Sequence, residues 1–231
     1  MNFAIILSGG VGSRMGLDIP KQYVLVNGRP VIDYCLETFL RNDRIDVLVI
    51  GVADEWKFFV QERVATLSSS KKVLYAEPGE TRQYSIYNAM KVAEGYGATD
   101  GDIVIVHDGA RPLVSESLIN SCIDGCRDAD GVMPVIPCKD TIYLSENGEK
   151  IDALLNRNHL WCGQAPEAFG FAKYIKAHEE MPREELLKVN GSTELAIKAG
   201  LKCRMIPGDP MNFKITTPED LSNFESIVGK K

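Results

Sequence analysis

The sequence predicts an α/β protein in which helices cover both faces of a mostly parallel β-sheet. Short apolar, β-branched runs alternate along the chain with longer segments whose apolar residues recur at helical spacing. The strand-like runs are apolar throughout, which is typical of strands buried on both faces. Because strands that alternate with helices are joined by crossovers, we expect three layers, with the sheet in the middle.

Each predicted element rests on one of these two patterns. The predicted strands of the sheet are residues 3–7, 47–52, 72–75, 103–107, 131–136 and 203–206. The predicted helices are residues 31–40, 55–67, 84–94, 115–127, 171–180, 193–199 and 218–227. Ligands of such sheets bind beyond the carboxyl ends of the strands, so we expect a site in the loops after Leu7, Tyr75, Val106 and Ile136.

The alternation of strands and helices breaks at about residues 137–163. Two strand-like pieces, 141–144 and 153–155, flank Asn147-Gly148, and this dipeptide favours a hairpin turn. A two-stranded hairpin is barely stable by itself, so we expect an arm that packs on a second copy of the chain. The chain contains no internal repeat, linker or low-complexity segment, so residues 1–231 are expected to form a single domain that carries this arm.

Composition argues against several functional classes. The chain has 231 residues, 45% hydrophobic and 25% charged, with a net charge of -6 and no Lys/Arg run longer than two, so no nucleic-acid partner is expected. The apolar run at 3–7 is short for a signal peptide and no segment suits a membrane span, which predicts a cytoplasmic protein without membrane contact. Six scattered cysteines and three distant histidines predict neither a zinc site nor a disulfide framework.

The most informative motif follows the first strand. Residues 7–16 read LSGGVGSRMG, and PKQ follows at 20–22. A glycine-rich loop lets backbone N–H groups approach phosphate oxygens, and Arg14 and Lys21 add cations. The motif matches neither GxxxxGK[ST] nor GxGxxG. It predicts a triphosphate site, and the alternative is a tight turn with solvated cations.

Two clusters carry further charge. HDGARP, at 107–112, puts Asp108 at a strand end, where a carboxylate can hold Mg²⁺ against phosphates, with Arg111 beside it. A structural ion pair is an equally good interpretation of these two residues. In NFKITTPED, at 212–220, Lys214 precedes the last helix and is a further candidate cation.

A last cluster, PGETRQYS at 78–85, enters a predicted helix. Its backbone groups can read the edge of a base, and Arg82 and Ser85 face the same opening. For Thr81 we expect the simpler role of helix N-cap.

In this order and spacing, the four clusters resemble the sugar-alcohol-phosphate cytidylyltransferases, which include the 2-C-methyl-D-erythritol 4-phosphate and D-ribitol 5-phosphate enzymes. The resemblance spans nearly the whole chain, and its most specific parts are GGVGSRMG with PKQY, HDGARP and NFKITTPEDL. It implies a three-layer, Rossmann-like nucleotidyltransferase fold and a homodimer built through the arm. It also implies Mg²⁺ as cofactor and transfer of CMP from CTP to a polyol phosphate.

The resemblance assigns site residues by position. Those implied for catalysis are Arg14, Lys21 and Lys214. Those implied for CTP, its metal ion and the surrounding loops are Ser8, Gly9, Gly10, Gly79, Arg82, Ser85, Asp108 and Arg111, with Asp108 as the metal ligand. Those implied for the acceptor are Thr141 and Arg157, of which Arg157 reaches across the dimer.

Departures from the family pattern lie in its acceptor half. QAPE at 164–167 replaces the usual QTPQ, and GSTE at 191–194 stands near the position of an expected Thr-Asp pair. Residues 157–160 and 54–56 resemble the ribitol branch, so D-ribitol 5-phosphate is the expected acceptor. The alternative acceptor is 2-C-methyl-D-erythritol 4-phosphate, of isoprenoid precursor synthesis. A transferase for another nucleotide and a CTP-binding protein without transferase activity remain open.

Overall fold

The computed structural model describes residues 1–10 and 19–229, in which an eight-stranded sheet carries helices on both faces. The strands are β1 (Asn2–Leu7), β2 (Leu25–Val26), β3 (Arg29–Pro30), β4 (Val47–Gly51), β5 (Lys72–Ala76), β6 (Ile103–Asp108), β7 (Gly131–Pro137), β8 (Ile142–Leu144), β9 (Ala153–Leu155), β10 (Trp161–Gly163), β11 (Glu167–Gly170) and β12 (Cys203–Pro207). The helices are α1 (Val31–Arg41), α2 (Asp54–Thr66), α3 (Arg82–Tyr96), α4 (Glu116–Gly125), α5 (Phe171–Glu180), α6 (Arg183–Leu186), α7 (Ser192–Lys198) and α8 (Pro218–Val228). Among the described helices, none is long and apolar enough to cross a membrane.

The sheet is mostly parallel, as predicted. Strands β5, β4, β1 and β6 lie side by side in parallel, β12 pairs with β7 in parallel, and β10 and β11 run antiparallel to their neighbours. In this register Leu7 is level with both Gly51 and Asp108. The carboxyl ends of β1, β4 and β6 therefore meet at one edge, which brings the glycine-rich loop next to the loop that starts at Asp108.

The packing of β1 explains its uninterrupted apolar run. Phe3 and Ile5 join a core cluster with α3 and α5, whereas Ala4 and Ile6 join a second cluster with α1 and α4. All four side chains are fully buried. Because neighbouring side chains of a strand point to opposite faces, a strand covered on both faces has no polar position to alternate with.

The predicted hairpin is present between β7 and β10, where the chain leaves the main sheet and β8 pairs with β9. Its connection differs from a two-residue Asn-Gly turn, because residues 145–152 separate the two strands. In that loop the Asn147 side chain accepts the backbone N–H groups of Glu149 and Lys150. The tight turn is instead Asn27-Gly28, between β2 and β3, where φ is 52° and 75°.

Strand β11 was not predicted from the sequence. It lies antiparallel between β6 and β7, and its residues Glu167, Ala168 and Phe169 are buried. This insertion places Glu167 level with Val106, close to the end of β6 where Asp108 lies. Strand β11 therefore places Glu167, one of the departures from the family pattern, next to the predicted CTP site.

Candidate active site

A cavity of about 440 Å³ opens at the carboxyl edge of β1, β4 and β6. Its lining includes many of the residues predicted from the sequence, namely Gly9, Gly10, Gly79, Arg82, Ser85, Asp108 and Lys214. These residues come from all four sequence clusters, so the fold joins segments that are far apart in the chain.

The described start of the glycine-rich loop is held from behind by side chains. The Ser8 hydroxyl donates to the Gly51 carbonyl at 3.0 Å. The Gln22 amide donates to the carbonyls of Ser8 and Gly10, at 2.5 and 3.0 Å, and the Tyr23 hydroxyl donates to the Ser8 carbonyl at 3.0 Å. Both Gln22 and Tyr23 are buried. These bonds engage the carbonyl groups of Ser8 and Gly10 and hold this described start of the loop in place.

Gln22 belongs to the PKQ motif at 20–22, but the sequence pattern predicted no role for it. The sequence contained a signal for such a role. Gln22 follows a glycine-rich loop, and the backbone carbonyl groups of such a loop need hydrogen-bond donors. The contacts of Gln22 nevertheless cross 12 and 14 positions of the chain, and sequence pattern does not fix such contacts.

Two glycines are required by close approach of backbone segments. A Cβ on Gly9 would lie 2.6 Å from the Pro78 Cβ. A Cβ on Gly79 would lie 2.3 Å from the Tyr84 Cβ and 2.7 Å from the Tyr84 carbonyl carbon. Any side chain at Gly79 would therefore force the backbone at the start of α3 to move, which makes this glycine a packing requirement of the cavity wall.

The first turn of α3 is shaped by two hydroxyl groups. Thr81 is the N-cap, as predicted, and its side chain accepts the Tyr84 N–H. The Ser85 hydroxyl accepts the Gly79 N–H at 3.0 Å and donates to the Thr81 carbonyl at 2.9 Å. Gly79 and Ser85 thus contact each other at the cavity wall, and their predicted contacts with cytosine and ribose stay predictions.

Asp108 is surrounded by cationic groups. Its Oδ2 lies 3.1 Å from Lys214 Nζ and 3.4 Å from Arg111 Nε, and its Oδ1 lies 3.5 Å from Arg82 Nη2. Burial alone would raise the pKa of this carboxyl, but Arg82, Lys214 and Arg111 outweigh burial, so its pKa lies well below the usual range. Asp108 is therefore an anion at neutral pH.

Arg82 connects Asp108 to the two departures from the family pattern. Its Nη2 lies 3.5 Å from Glu167 Oε1, and its Nη1 donates to the Ser192 hydroxyl at 2.5 Å. Glu167 Oε2 accepts the Thr193 backbone N–H at 2.9 Å and the Thr193 hydroxyl at 2.7 Å. Burial lowers the pKa of Arg82, but Asp108 and Glu167 more than offset it, so its pKa is raised. The departures at Glu167 and Thr193 are thus direct partners.

Arg111 joins the loop after β6 to the segment that carries Lys214. Its Nη1 donates to the Asn212 carbonyl at 2.7 Å, while its Nε faces Asp108. The Ile215 N–H donates to the Ala110 carbonyl at 2.9 Å. These contacts hold Lys214 against Asp108 at the cavity.

Four further predicted site residues are not among the residues that line this cavity in the described part of the chain. Lys21 starts a short 3₁₀ helix, Lys21–Tyr23. Thr141 and Arg157 lie on the arm, outside the lining of the cavity, and Arg157 Nη1 donates to the Lys139 carbonyl at 2.9 Å. Arg14 lies outside the described residues. The roles of these four residues stay predictions.

The described carboxylates suit a metal ion that the protein binds only in part. Within residues 1–10 and 19–229, no group of three or more His, Cys, Asp or Glu side chains is placed to hold a metal ion. Mg²⁺ is often bound through one or two carboxylates, with water and substrate phosphates completing the shell. Asp108 supplies one ionised carboxylate at the cavity, so the residues fit a magnesium ion carried mainly by a nucleotide.

Comparisons with known proteins show which family the chain is similar to. Residues 2–230 match the family model described as IspD, 2-C-methyl-D-erythritol 4-phosphate cytidylyltransferase. A 2-C-methyl-D-erythritol 4-phosphate cytidylyltransferase of Geobacter metallireducens is 36% identical over 230 residues, which cover 99% of this chain and 98% of that protein. A ribitol-5-phosphate cytidylyltransferase of Streptococcus agalactiae serotype V is 28% identical over 228 residues, covering 98% of this chain and 95% of that protein.

A solved structure extends the agreement to the fold. The crystal structure of the 4-diphosphocytidyl-2C-methyl-D-erythritol synthase from Anaerococcus prevotii superposes with a TM-score of 0.82 at 25% identity, covering 99% of this chain and 96% of that one. The predicted family, α/β nucleotidyltransferase fold and enzyme class are thereby confirmed. The chain belongs to the IspD family of cytidylyltransferases, which are CTP-dependent nucleotidyltransferases.

Proposed function

We propose that this chain transfers CMP from CTP to 2-C-methyl-D-erythritol 4-phosphate, giving a CDP-polyol and pyrophosphate. The observation that carries the transfer is the convergence of Arg82, Arg111 and Lys214 on Asp108, in a cavity that also contains Gly9 and Gly10. The acceptor rests on similarity, since the Geobacter protein of that name is 36% identical to the chain and the streptococcal ribitol-5-phosphate enzyme is 28% identical.

D-Ribitol 5-phosphate is the second candidate acceptor. It is favoured by residues 157–160 and 54–56, which resemble the ribitol branch of the family. Residues 157–160 lie on the arm, where the acceptor contact at Arg157 is predicted. Both acceptors are polyol phosphates with one phosphate group, so the same cationic side chains serve either one, and the acceptor has to be decided by assay.

The proposed reaction needs no protein nucleophile. An oxygen of the acceptor phosphate attacks the α-phosphorus of CTP in line, and pyrophosphate leaves. The chain's task is to position the two phosphates and to neutralise their charge. In this proposal Lys21 and Lys214 face the transferring phosphoryl group, and Arg14 with the backbone of Ser8, Gly9 and Gly10 binds the triphosphate.

Magnesium is proposed to bind Asp108 together with the phosphates of CTP. The ion would supply further positive charge against the polyphosphate. Asp108 suits this role because its carboxylate is ionised and borders the cavity. Arg111 is proposed to keep this carboxylate in place through its bond to the Asn212 carbonyl.

The arm is proposed to complete the acceptor site of a second copy of the chain. Its apolar side chains Tyr143, Leu144, Ile151 and Leu154 are 55%, 50%, 70% and 64% exposed. Such a concentration of exposed apolar area on one short hairpin favours burial against a partner. Leu154→Glu is expected to shift the chain from dimer to monomer in sedimentation equilibrium, whereas a wild type that sediments as a monomer would contradict this assembly.

The test of the proposed function is pyrophosphate release with several acceptors in parallel. The protein is incubated with CTP and magnesium and with 2-C-methyl-D-erythritol 4-phosphate, D-ribitol 5-phosphate or glycerol phosphate, and the CDP-product is identified by mass. We expect the highest kcat/KM with 2-C-methyl-D-erythritol 4-phosphate. A higher value with D-ribitol 5-phosphate would select the second candidate.

Two other outcomes of that assay would contradict the proposal more broadly. Faster release with UTP or GTP than with CTP would indicate another nucleotide. Tight CTP binding without product from any polyol phosphate would indicate a binding protein that lacks transfer activity.

A further inference from the structure

Two of the six cysteines lie against each other where the arm joins the sheet. The Sγ atoms of Cys138 and Cys162 are 3.3 Å apart, and both cysteines are free. Cys138 directly follows β7, and its backbone N–H donates to the Leu160 carbonyl at 3.1 Å. Cys162 lies in β10, level with Ile136 of β7. The pair is thus held by antiparallel pairing of the two segments that begin and end the arm.

The antiparallel register explains why the two sulphurs meet. Residues directly opposite each other project to the same face of the sheet, and so do alternate residues of one strand. Cys138 and Cys162 are therefore diagonal neighbours on one face. A disulfide has a sulphur–sulphur length of about 2.05 Å, so the sulphurs need to approach by roughly 1.3 Å. Diagonal neighbours lie about 7–8 Å apart and a disulfide usually spans about 4.4–6.8 Å between Cα atoms, so closure also draws the two ends of the arm together.

The other cysteines are in different surroundings. Burial raises the pKa of the Cys35 thiol to about 12 and that of the Cys126 thiol to about 12, which leaves both without a useful thiolate fraction. Cys122 is fully buried, and its thiol donates to the Pro166 carbonyl, so it packs as a small apolar residue. Cys162, by contrast, is exposed, and Cys138 beside it is half-buried. The hydrogen bond to Cys162 raises the pKa of the Cys138 thiol, which suits Cys138 as the second thiol to react.

We propose that Cys138 and Cys162 form a redox-active dithiol, which a hydroperoxide closes into a disulfide at the base of the arm. The Cys162 thiolate attacks the terminal peroxide oxygen, the O–O bond breaks, and a sulfenic acid forms as alcohol or water leaves. The Cys138 sulphur then attacks the sulphur of that sulfenic acid, so that the S–S bond forms and one water is released. In total, two thiols and one hydrogen peroxide give one disulfide and two waters, and an external dithiol reverses the reaction.

The position of the pair indicates what the disulfide does. Residues 138–162 enclose both Thr141 and Arg157, and Arg157 already donates to the carbonyl of Lys139, the neighbour of Cys138. No residue of this segment lines the CTP cavity. Oxidation therefore fixes the two ends of the arm and, if the proposed function holds, acts on the acceptor rather than on CTP.

Mapping of the oxidised protein tests the bond itself. The full chain is treated with graded hydrogen peroxide, blocked with an alkylating reagent and digested without reduction for mass spectrometry. We expect an intramolecular Cys138–Cys162 peptide that disappears on reduction. It is absent from Cys138→Ser and Cys162→Ser and persists in the control Cys203→Ser. Sulfinic acid at Cys162 with free Cys138, or bridges only between chains, would overturn the proposal.

Two further readouts test the effect on the arm. Hydrogen exchange of amides within 138–162 is expected to slow about tenfold or more on oxidation, since each opening of the arm is then restrained at both ends. The KM for the acceptor is expected to change at least threefold with the KM for CTP unchanged, and Cys138→Ser should abolish both responses. A mapped disulfide with unchanged exchange and unchanged acceptor KM would refute control of the arm. If the protein transfers CMP to no polyol phosphate, the proposed function is refuted. The disulfide can still be tested in that case, because peptide mapping detects it without any transfer activity.

Discussion

The cavity and the arm hold their charged side chains in different ways. At the cavity, Asp108 contacts three cationic groups and Arg82 contacts two carboxylates and a hydroxyl. On the arm, Arg157 is exposed, and its guanidinium donates a hydrogen bond to the Lys139 carbonyl. A group with several buried partners is placed by its own chain, whereas an exposed one gains its final position from what binds it. Among the described residues, the charged groups of the cavity proposed for CTP are therefore preformed, whereas Arg157, which is proposed for the acceptor, is not fixed in this way.

The largest expected effect is on catalysis at the cavity that contains Lys214. Lys214→Ala should lower kcat by about 10²-fold or more, because the lost ammonium group acts on charge that grows in the transition state. Lys176→Ala, which removes an exposed lysine paired with Glu180, is the matched control. Steady-state pyrophosphate release measures both variants, and a Lys214→Ala enzyme within tenfold of wild type and normally folded would end the proposed role. The same loss is expected for Lys21→Ala.

A second prediction tests whether the cavity wall is as tightly packed as the glycines imply. Gly79→Ala should lower the free energy of unfolding by about 1–3 kcal/mol, since its Cβ meets backbone atoms at the start of α3. Gly95→Ala is the control, because its Cβ meets nothing within 4 Å and alanine favours a helix. Urea unfolding compares the two, and equal stability for both variants would show that the wall yields easily.

The third prediction concerns the acceptor site, which the arm of a second copy of the chain is proposed to complete. Arg157→Ala should raise the KM for the acceptor by about tenfold and leave the KM for CTP unchanged, since one charged hydrogen bond to a phosphate is lost. Arg127→Ala, which removes an exposed arginine just beyond the end of α4, serves as the control. If the acceptor KM does not respond, Arg157 has no part in the site.

The smallest expected effect is a pH dependence of stability. His107 is buried at the end of β6, and burial lowers its pKa to about 4, while its Nε2 bonds the Arg111 carbonyl. The unfolded chain therefore binds more protons than the folded one between the folded pKa and the ordinary value of about 6.5, so stability falls as pH falls through that window. Between pH 7 and 5.5 this one group should cost about 1 kcal/mol.

The variant His107→Gln isolates that contribution. Its amide can still donate to the Arg111 carbonyl, but it does not titrate. Urea unfolding at several pH values should therefore show a shallower loss of stability for the variant by about 1 kcal/mol over the same interval. Parallel curves for the two proteins would place the acid sensitivity elsewhere.

Sequence pattern predicted the parts of the fold that depend on local periodicity. The strand at 3–7 and the helix capped by Thr81 are examples, because burial on two faces and a cap leave a signature in neighbouring residues. Strand β11 was missed because four residues, Glu167 to Gly170, are too few to show a period. The turn at Asn27-Gly28 was missed because its flanking strands have two residues each.

For the site, motifs identified the residues but not how they contact each other. Three separate motifs contribute Asp108, Arg82 and Lys214. Only the fold brings Lys214 Nζ to 3.1 Å and Arg82 Nη2 to 3.5 Å from the oxygens of the Asp108 carboxylate. The bond between Glu167 and Thr193 spans 26 positions, so two separate departures in the sequence become one contact in space. The meeting of Cys138 and Cys162 likewise depends on the register between β7 and β10.

The most direct test of the proposed CTP site is a crystal structure of the chain with CTP and magnesium. We expect the triphosphate to lie against the backbone of residues 8–10, with the metal at Asp108 and the cytosine beside residues 79–85. A nucleotide bound at another surface, with this cavity vacant in the same crystal, would contradict it.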